Sequence, residues 1–254
     1  MRRRTKLALA AGGATAAVVG GALARGRLRG RGPEAPTSSE EDPQYTVFAP
    51  GGPQGFWFNG PIGRAFAKFQ PISHARLYDV VAGMLDPQPE DELLDIGCGP
   101  GAFMATKATH VRRVVGLDPS RVMLAEAERR LSDRIAAGTA QLVQASSATL
   151  PFGDGEFSAV TAITAPANPA EVFRVLRPGG RFVYVDELVS DPKQPLSERT
   201  AGDRWNWTEA DFRRMIEDAG FADLTVRYAG VPREKGVWHW ADNRVVSCRK
   251  PVDS

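Results

Sequence analysis

Short apolar runs recur along this chain, and most are followed by a stretch with helical spacing. Leu93-Leu94-Asp95-Ile96 and Val114-Val115-Gly116-Leu117 have the length and make-up of buried strands. The pattern predicts strands at about 92–96, 113–117, 140–144, 157–163 and 180–186, and helices at about 102–109, 120–136 and 168–177. An amphipathic helical region, Gly63 to Leu85, precedes the first strand. Arg177-Pro178-Gly179-Gly180 reads as a turn, because Pro pre-sets one backbone angle and Gly supplies a positive φ. Further on, Thr208 caps a helix through Ala219, which Gly220 ends. Two late strands, about 222–229 and 237–248, are joined by a hairpin-like turn over Gly230 to Gly236. The expected fold class is α/β: a mostly parallel sheet with helices on both faces and a C-terminal antiparallel strand pair.

The most informative stretch is Leu93-Leu94-Asp95-Ile96-Gly97-Cys98-Gly99-Pro100-Gly101. A buried strand there feeds a tight turn into a helix. Glycines at 97, 99 and 101 let the backbone approach a ligand closely. Free N–H groups at the helix start favour electron-rich ligand atoms. The second strand closes on Asp118, an acid placed to take both hydroxyls of a ribose.

Two cofactors compete for such a loop. Gly97-x-Gly99-x-x-Ala102 satisfies the dinucleotide fingerprint, which includes an acid about 20 residues further on. Three features favour S-adenosylmethionine (SAM) over NAD. Asp95 stands where a dinucleotide site usually has an apolar residue. The other two are Ser146-Ser147-Ala148-Thr149-Leu150-Pro151-Phe152, followed by Gly153-Asp154-Gly155-Glu156-Phe157, and Val175-Leu176-Arg177-Pro178-Gly179-Gly180-Arg181-Phe182. Taken with the Asp118 strand, these blocks resemble a class I SAM-dependent methyltransferase with a Rossmann-like fold. The resemblance covers roughly Pro71 to Lys250 and lies nearest the group containing the ubiquinone and menaquinone C-methyltransferases. It is specific for the cofactor and almost silent on the substrate.

The resemblance implies a role for each matching position. Gly97, Gly99 and Gly101 line the methionine part of SAM, and Asp95 holds its ammonium directly or through water. Asp118 takes the ribose hydroxyls, Met123 packs on the adenine or simply joins the core, and Ser147 contributes its backbone N–H. At Ser146 the family commonly carries an acid that accepts from the adenine amino group; serine is a weaker acceptor. A second departure is the segment Thr161 to Pro169, which is shorter than in relatives and has no acid, His or Tyr. It implies a small apolar pocket floor and no general base from this loop.

Composition changes the picture at the N-terminus. The net charge of +2 hides an asymmetry: residues 1–31 hold eight Arg and Lys and no acid, leaving 24 basic against 30 acidic residues, or −6. A mildly acidic body argues against a nucleic-acid partner. Residues 1–31 read as a basic and apolar anchor or targeting segment, 32–44 as a linker, and 45–254 as the catalytic domain. The uncharged run Leu7 to Ala24 spans about 27 Å as a helix, barely a bilayer core. It predicts a membrane anchor with the domain in the cytoplasm, where SAM is made. A cleaved secretory signal or an organelle transit peptide are the alternatives. Two cysteines, Cys98 and Cys248, give neither a disulfide framework nor metal-ligand spacing.

Methyl transfer asks little of a protein, because the sulfonium methyl is already activated and alignment supplies much of the rate. A base is needed only for a nucleophile whose proton has a high pKa. The candidates are His74, in the helical region before the first strand, and Glu187, which with Asp186 ends the fifth strand. His239 lies on a late strand between Trp238 and Trp240. Phe56-Trp57-Phe58 and Trp205-Asn206-Trp207 offer aromatic lids that suit an apolar acceptor. The expected function is transfer of the SAM methyl group to a small apolar acceptor. The alternative is a SAM-binding, membrane-tethered scaffold or sensor without catalysis.

Overall fold

Depletion of charge from five central runs fixes where the chain is buried. The computed structural model describes residues 59–187, 209–229 and 243–252. Two helices come first, α1 (Pro61–Ser73) and α2 (Ala75–Leu85). Alternating strands and helices follow: β1 (Glu92–Ile96), α3 (Ala102–Thr106), β2 (Arg113–Leu117), α4 (Arg121–Arg130), α5 (Ser132–Ala136), β3 (Ala140–Val143), β4 (Phe157–Ile163), α6 (Pro169–Val175) and β5 (Leu176–Glu187). The chain finishes with α7 (Glu209–Asp218), β6 (Ala222–Tyr228) and β7 (Asn243–Arg249).

The strands form one seven-stranded sheet in the order β3-β2-β1-β4-β5-β7-β6. Pairs among β1 to β5 are parallel; β7 runs antiparallel to both β5 and β6. Chain direction across the sheet reverses between β1 and β4. That is the switch point, where a crevice opens outside the carboxyl ends of the strands.

Side chains of β1 alternate between the two faces. Leu94 and Ile96 join a cluster with Phe182, Val172 and Ile216, under α6 and α7. Leu93 joins the opposite cluster with Leu77, Val81, Leu85 and Phe103, under α2 and α3. Asp95 lies two residues from Leu93 and so faces the α2 side. At the far end of the sheet, Asp91 anchors β1 to its neighbours. Its carboxylate accepts from Gln88 N at 2.7 Å and Ser158 Oγ at 2.7 Å and pairs with Arg181.

The elements match their expected places with four differences. The region 63–85 is two helices with a break at His74, whose backbone leaves helical angles (φ −101°, ψ 1°). The helix expected over 120–136 breaks at Leu131. The helix after the glycine loop is only five residues long. Arg177 to Gly180 is a bulge inside a long β5: Phe157 pairs with Leu176, and Ala159 next pairs with Arg181. A Cβ on Gly180 would stand 2.8 Å from the Arg177 carbonyl, so this tight fold-back excludes one. Thr208, the turn 230–236 and positions 237–242 of the strand expected over 237–248 lie outside the described residues. Among the described residues no helix is long and apolar enough to cross a membrane; the run Leu7 to Ala24 lies outside them.

Candidate cofactor site

Asp95 is the first element of the site. It faces Thr161 across the β1–β4 pair and is only 2% exposed. Its Oδ1 accepts from Thr161 Oγ1 at 2.8 Å. Its pKa is raised to about 7: burial pushes it up, the Thr161 hydroxyl pulls it back, and the nearby Asp118 charge adds to the rise. Thr161 was not among the expected site residues. Its signal was a hydroxyl within the apolar run of β4, at the register position opposite Asp95 of β1.

The glycine loop follows. Gly97, Gly99 and Gly101 all have positive φ, at 66°, 53° and 74°. Space matters as much as angle: a Cβ on Gly97 would collide with Ala165, and one on Gly101 would stand 3.0 Å from Ala127 Cβ. Ala165 belongs to the shortened segment after β4, which therefore packs against this loop. The N–H groups of the loop itself are spent internally; those expected to face a ligand belong to the start of α3. Gly97 N and Cys98 N both donate to the Leu117 carbonyl, at 2.7 and 3.0 Å. Gly101 N donates to Cys98 O at 3.0 Å. Gly99 N donates to Asp118 Oδ2 at 2.9 Å. A helix of five residues also adds little dipole. The glycines thus leave room beside two buried carboxylates, Asp95 and Asp118. Cys98 is buried inside the loop, where burial raises its thiol pKa well above the usual range. It stays a neutral packing residue.

Asp118, just past β2, is 7% exposed. Oδ1 accepts from Ser120 N at 2.8 Å and Oδ2 from Gly99 N, which leaves one lone pair on each oxygen for a further donor. Burial lifts its pKa to about 6, against the lowering effect of those two bonds. Ser120 caps α4 by accepting from Met123 N at 3.2 Å. Met123 is buried but joins neither apolar cluster of the domain.

Ser146 and Ser147 sit on the loop after β3. Ser146 is half-buried, and its Oγ accepts from Ala148 N at 3.2 Å; Ser147 is buried. The loop is held from α6. Glu171 accepts from Leu150 N at 2.8 Å, Arg174 donates to the Leu150 and Phe152 carbonyls at 3.0 and 2.8 Å, and Asn168 donates to Ala148 O at 3.0 Å.

His74 lies in the break between α1 and α2, 1% exposed. Its ring packs edge-on to Phe66 and tilted against Tyr78, with Nδ1 2.9 Å from Ser73 Oγ. Burial pushes its pKa down to about 4, so the ring is neutral at pH 7 and a weak base. Glu187 ends β5 in register with Asn243, but its side chain lies outside the description. So do Phe56-Trp57-Phe58, Trp205-Asn206-Trp207 and His239.

Gln70 was also missed. Helix α1 lays its amide over the glycine loop, with Nε2 3.3 Å from the place a Cβ on Gly99 would take. A lone amide on the inward face of an amphipathic helix was its only signal. Among the described residues, no Lys or Arg offsets the charge of Asp95 or Asp118. Two such carboxylates beside a cradle that admits no Cβ fit a ligand bearing an ammonium and hydroxyls. The pyrophosphate of a dinucleotide would meet their repulsion.

The raised pKa of Asp95 has a consequence for stability. A carboxyl whose folded pKa lies above its usual 3.8 adds stability in full below that value and loses it as pH rises through about 7. Asp95→Asn cannot ionise and escapes the loss. Its melting temperature, measured without ligand, should therefore gain on the native chain between pH 5 and pH 8, by roughly 3 °C or more, the shift about 1 kcal/mol gives a domain of this size. A difference that stays constant with pH would remove the assigned shift.

Comparison with known proteins agrees with this geometry. A family model described as a methyltransferase domain matches residues 93–180, from β1 to the β5 bulge. A ubiquinone/menaquinone biosynthesis C-methyltransferase from Methylobacterium nodulans is 35% identical over 173 residues, covering 53% of this chain and 67% of the relative. An O-methyltransferase from Penicillium expansum is 30% identical over 164 residues, covering 59% of each chain. Eight of the curated relatives are matched over 34% to 67% of their own length. The solved geranyl diphosphate C-methyltransferase of Streptomyces coelicolor, in complex with S-adenosyl-L-homocysteine, superposes with a TM-score of 0.55 at 18% identity, covering 70% of this chain and 79% of that one. At that identity the likeness is one of fold. The sheet order, the Asp95-to-Gly101 loop with Asp118 and the Methylobacterium relative together place this chain in the class I SAM-dependent methyltransferases, the family that includes the ubiquinone and menaquinone C-methyltransferases.

Proposed function

We propose that this chain binds SAM at the switch point of its sheet and transfers the methyl group to a small, apolar acceptor. The observation that carries the reading is the pair of buried carboxylates, Asp95 and Asp118, on either side of a glycine cradle with no cation among the described residues to offset them. Bound SAM supplies a methyl already activated on sulfur. The chain's own part is to hold and orient. Asp118 has lone pairs left for two ribose hydroxyls. Asp95 is set for an ammonium, which would favour its ionised form. Met123, Ser146 and Ser147 border the place assigned to the adenine.

No residue of the segment Thr161 to Pro169 can take a proton from the acceptor, and Ala165 packs this segment onto Gly97. Transfer then rests on alignment and exclusion of water, with His74 joining two helices. This feature is also the one that suits a non-catalytic SAM-binding scaffold. The relatives named as methyltransferases weigh against that alternative. The Methylobacterium relative's name points to a quinone precursor, a lipid-soluble acceptor. The uncharged run 7–24 agrees with such a substrate as a proposed membrane anchor that holds the domain on the cytoplasmic side.

Three outcomes follow. Asp118→Ala should weaken S-adenosylhomocysteine (SAH) by at least tenfold in calorimetry, since each charge-assisted hydrogen bond is worth about 1.5–3 kcal/mol. Unchanged affinity would end the ribose assignment. For catalysis, His74→Phe should keep kcat within about threefold, because a true general base contributes about 10²–10⁴. A hundredfold fall, with SAH binding intact, would restore His74 as the base. For location, the full chain should stay with membranes through carbonate extraction and a chain lacking residues 1–31 should not; a full chain freed by carbonate would dismiss the anchor.

A further inference from the structure

Gln70 is a polar side chain in an apolar setting. It is 8% exposed, and its Oε1 is buried with no hydrogen-bond partner. Its backbone carbonyl is used, accepting from His74 N at 2.9 Å and Ser73 Oγ at 3.2 Å, so the unused acceptor belongs to the side chain alone. A buried acceptor without a donor costs stability, and a leucine would fill the same place without that cost. The amide lies over Gly99, the central glycine of the cradle: Nε2, Cδ and Oε1 stand 3.3, 3.9 and 3.9 Å from the position of a Cβ there. Gly99 in turn donates to Asp118. The orphaned oxygen is therefore at the ligand cradle itself.

We propose that Gln70 is a cofactor-binding residue, whose side-chain amide is laid on Gly99 by α1 to hold the amino-acid end of SAM. This rests on the SAM reading above. The ligand must present an N–H or O–H donor to an acceptor. The ribose hydroxyls go to Asp118 and the adenine to the Met123 and Ser146 side. The remaining donor is the α-ammonium, which has three N–H groups and is shared by Gln70 and Asp95. The same amide carries two N–H donors for the adjacent carboxylate. Asp95 alone offers a charge; Gln70 adds a group that reads both halves of a zwitterion. It also makes α1, outside the sheet, part of the site.

The test compares two ligands within one variant. SAH carries the amino-acid end; 5′-deoxy-5′-methylthioadenosine has the same nucleoside without it. Calorimetry on the full chain with Gln70→Leu should show SAH weakened at least tenfold and the methylthio nucleoside within twofold of native. The apo melting temperature should be unchanged or higher, because the orphaned acceptor is gone. Gln70→Glu, which keeps an acceptor, should retain more SAH affinity than the leucine variant. The ratio of the two affinities is read inside each variant, so partial unfolding does not affect it. Equal loss of both ligands would make Gln70 a packing residue and overturn the proposal, as would full SAH affinity in the leucine variant. A native chain that binds neither ligand would overturn the SAM reading and this proposal with it.

Discussion

One carbonyl, that of Leu117, holds the site together. It accepts from both Gly97 N and Cys98 N and so ties the turn after β1 to the end of β2. Asp118, the next residue, finishes the tie through Gly99 N. The turn can take this course only because Gly97, Gly99 and Gly101 adopt positive φ and carry no side chain where Ala165 and Ala127 already stand. The loop is rigid because its donors are used. Around the loop, the polar groups with lone pairs to spare are the carboxylates of Asp95 and Asp118.

Those carboxylates carry a cost in the free protein. Asp95 and Asp118 are buried together, each raised toward neutrality by lost hydration. Gln70 Oε1 adds an unsatisfied acceptor nearby. Buried polar groups of this kind persist where a ligand satisfies them. The rest of the domain offsets the cost through two apolar clusters, one on each face of the sheet, and through polar ties such as Asp91 with Arg181 and Arg174 with Glu171.

Much of this was legible in the sequence. Strands β1, β2 and β4 fall where the apolar runs place them, because buried parallel strands read as continuous hydrophobic stretches. Asp95 was legible as an acid breaking the first apolar run and Asp118 as an acid closing the second. Hydrogen bonds that depend on tertiary placement were not. Nothing local says that Gly97 N turns inward to Leu117, or that Thr161 meets Asp95 across the sheet. The break at His74 was hidden because helical periodicity continues through it, and only the fold shows its ring packed on Phe66 and Tyr78. Gln70 was hidden because one polar residue on an apolar helix face resembles an ordinary boundary position. Only the packing of α1 on Gly99 gives it meaning.

The central claim is that a buried carboxyl at the cradle meets a cationic group of the ligand. Calorimetric titration of the full chain with SAH, at pH 6 and in two buffers of different ionisation enthalpy, tests it most directly. Asp95 is largely protonated at that pH in the free protein and must ionise to take an ammonium. The account predicts binding at one site with net release of protons into the buffer. Binding with no proton exchange, or binding of NAD in place of SAH, would contradict it.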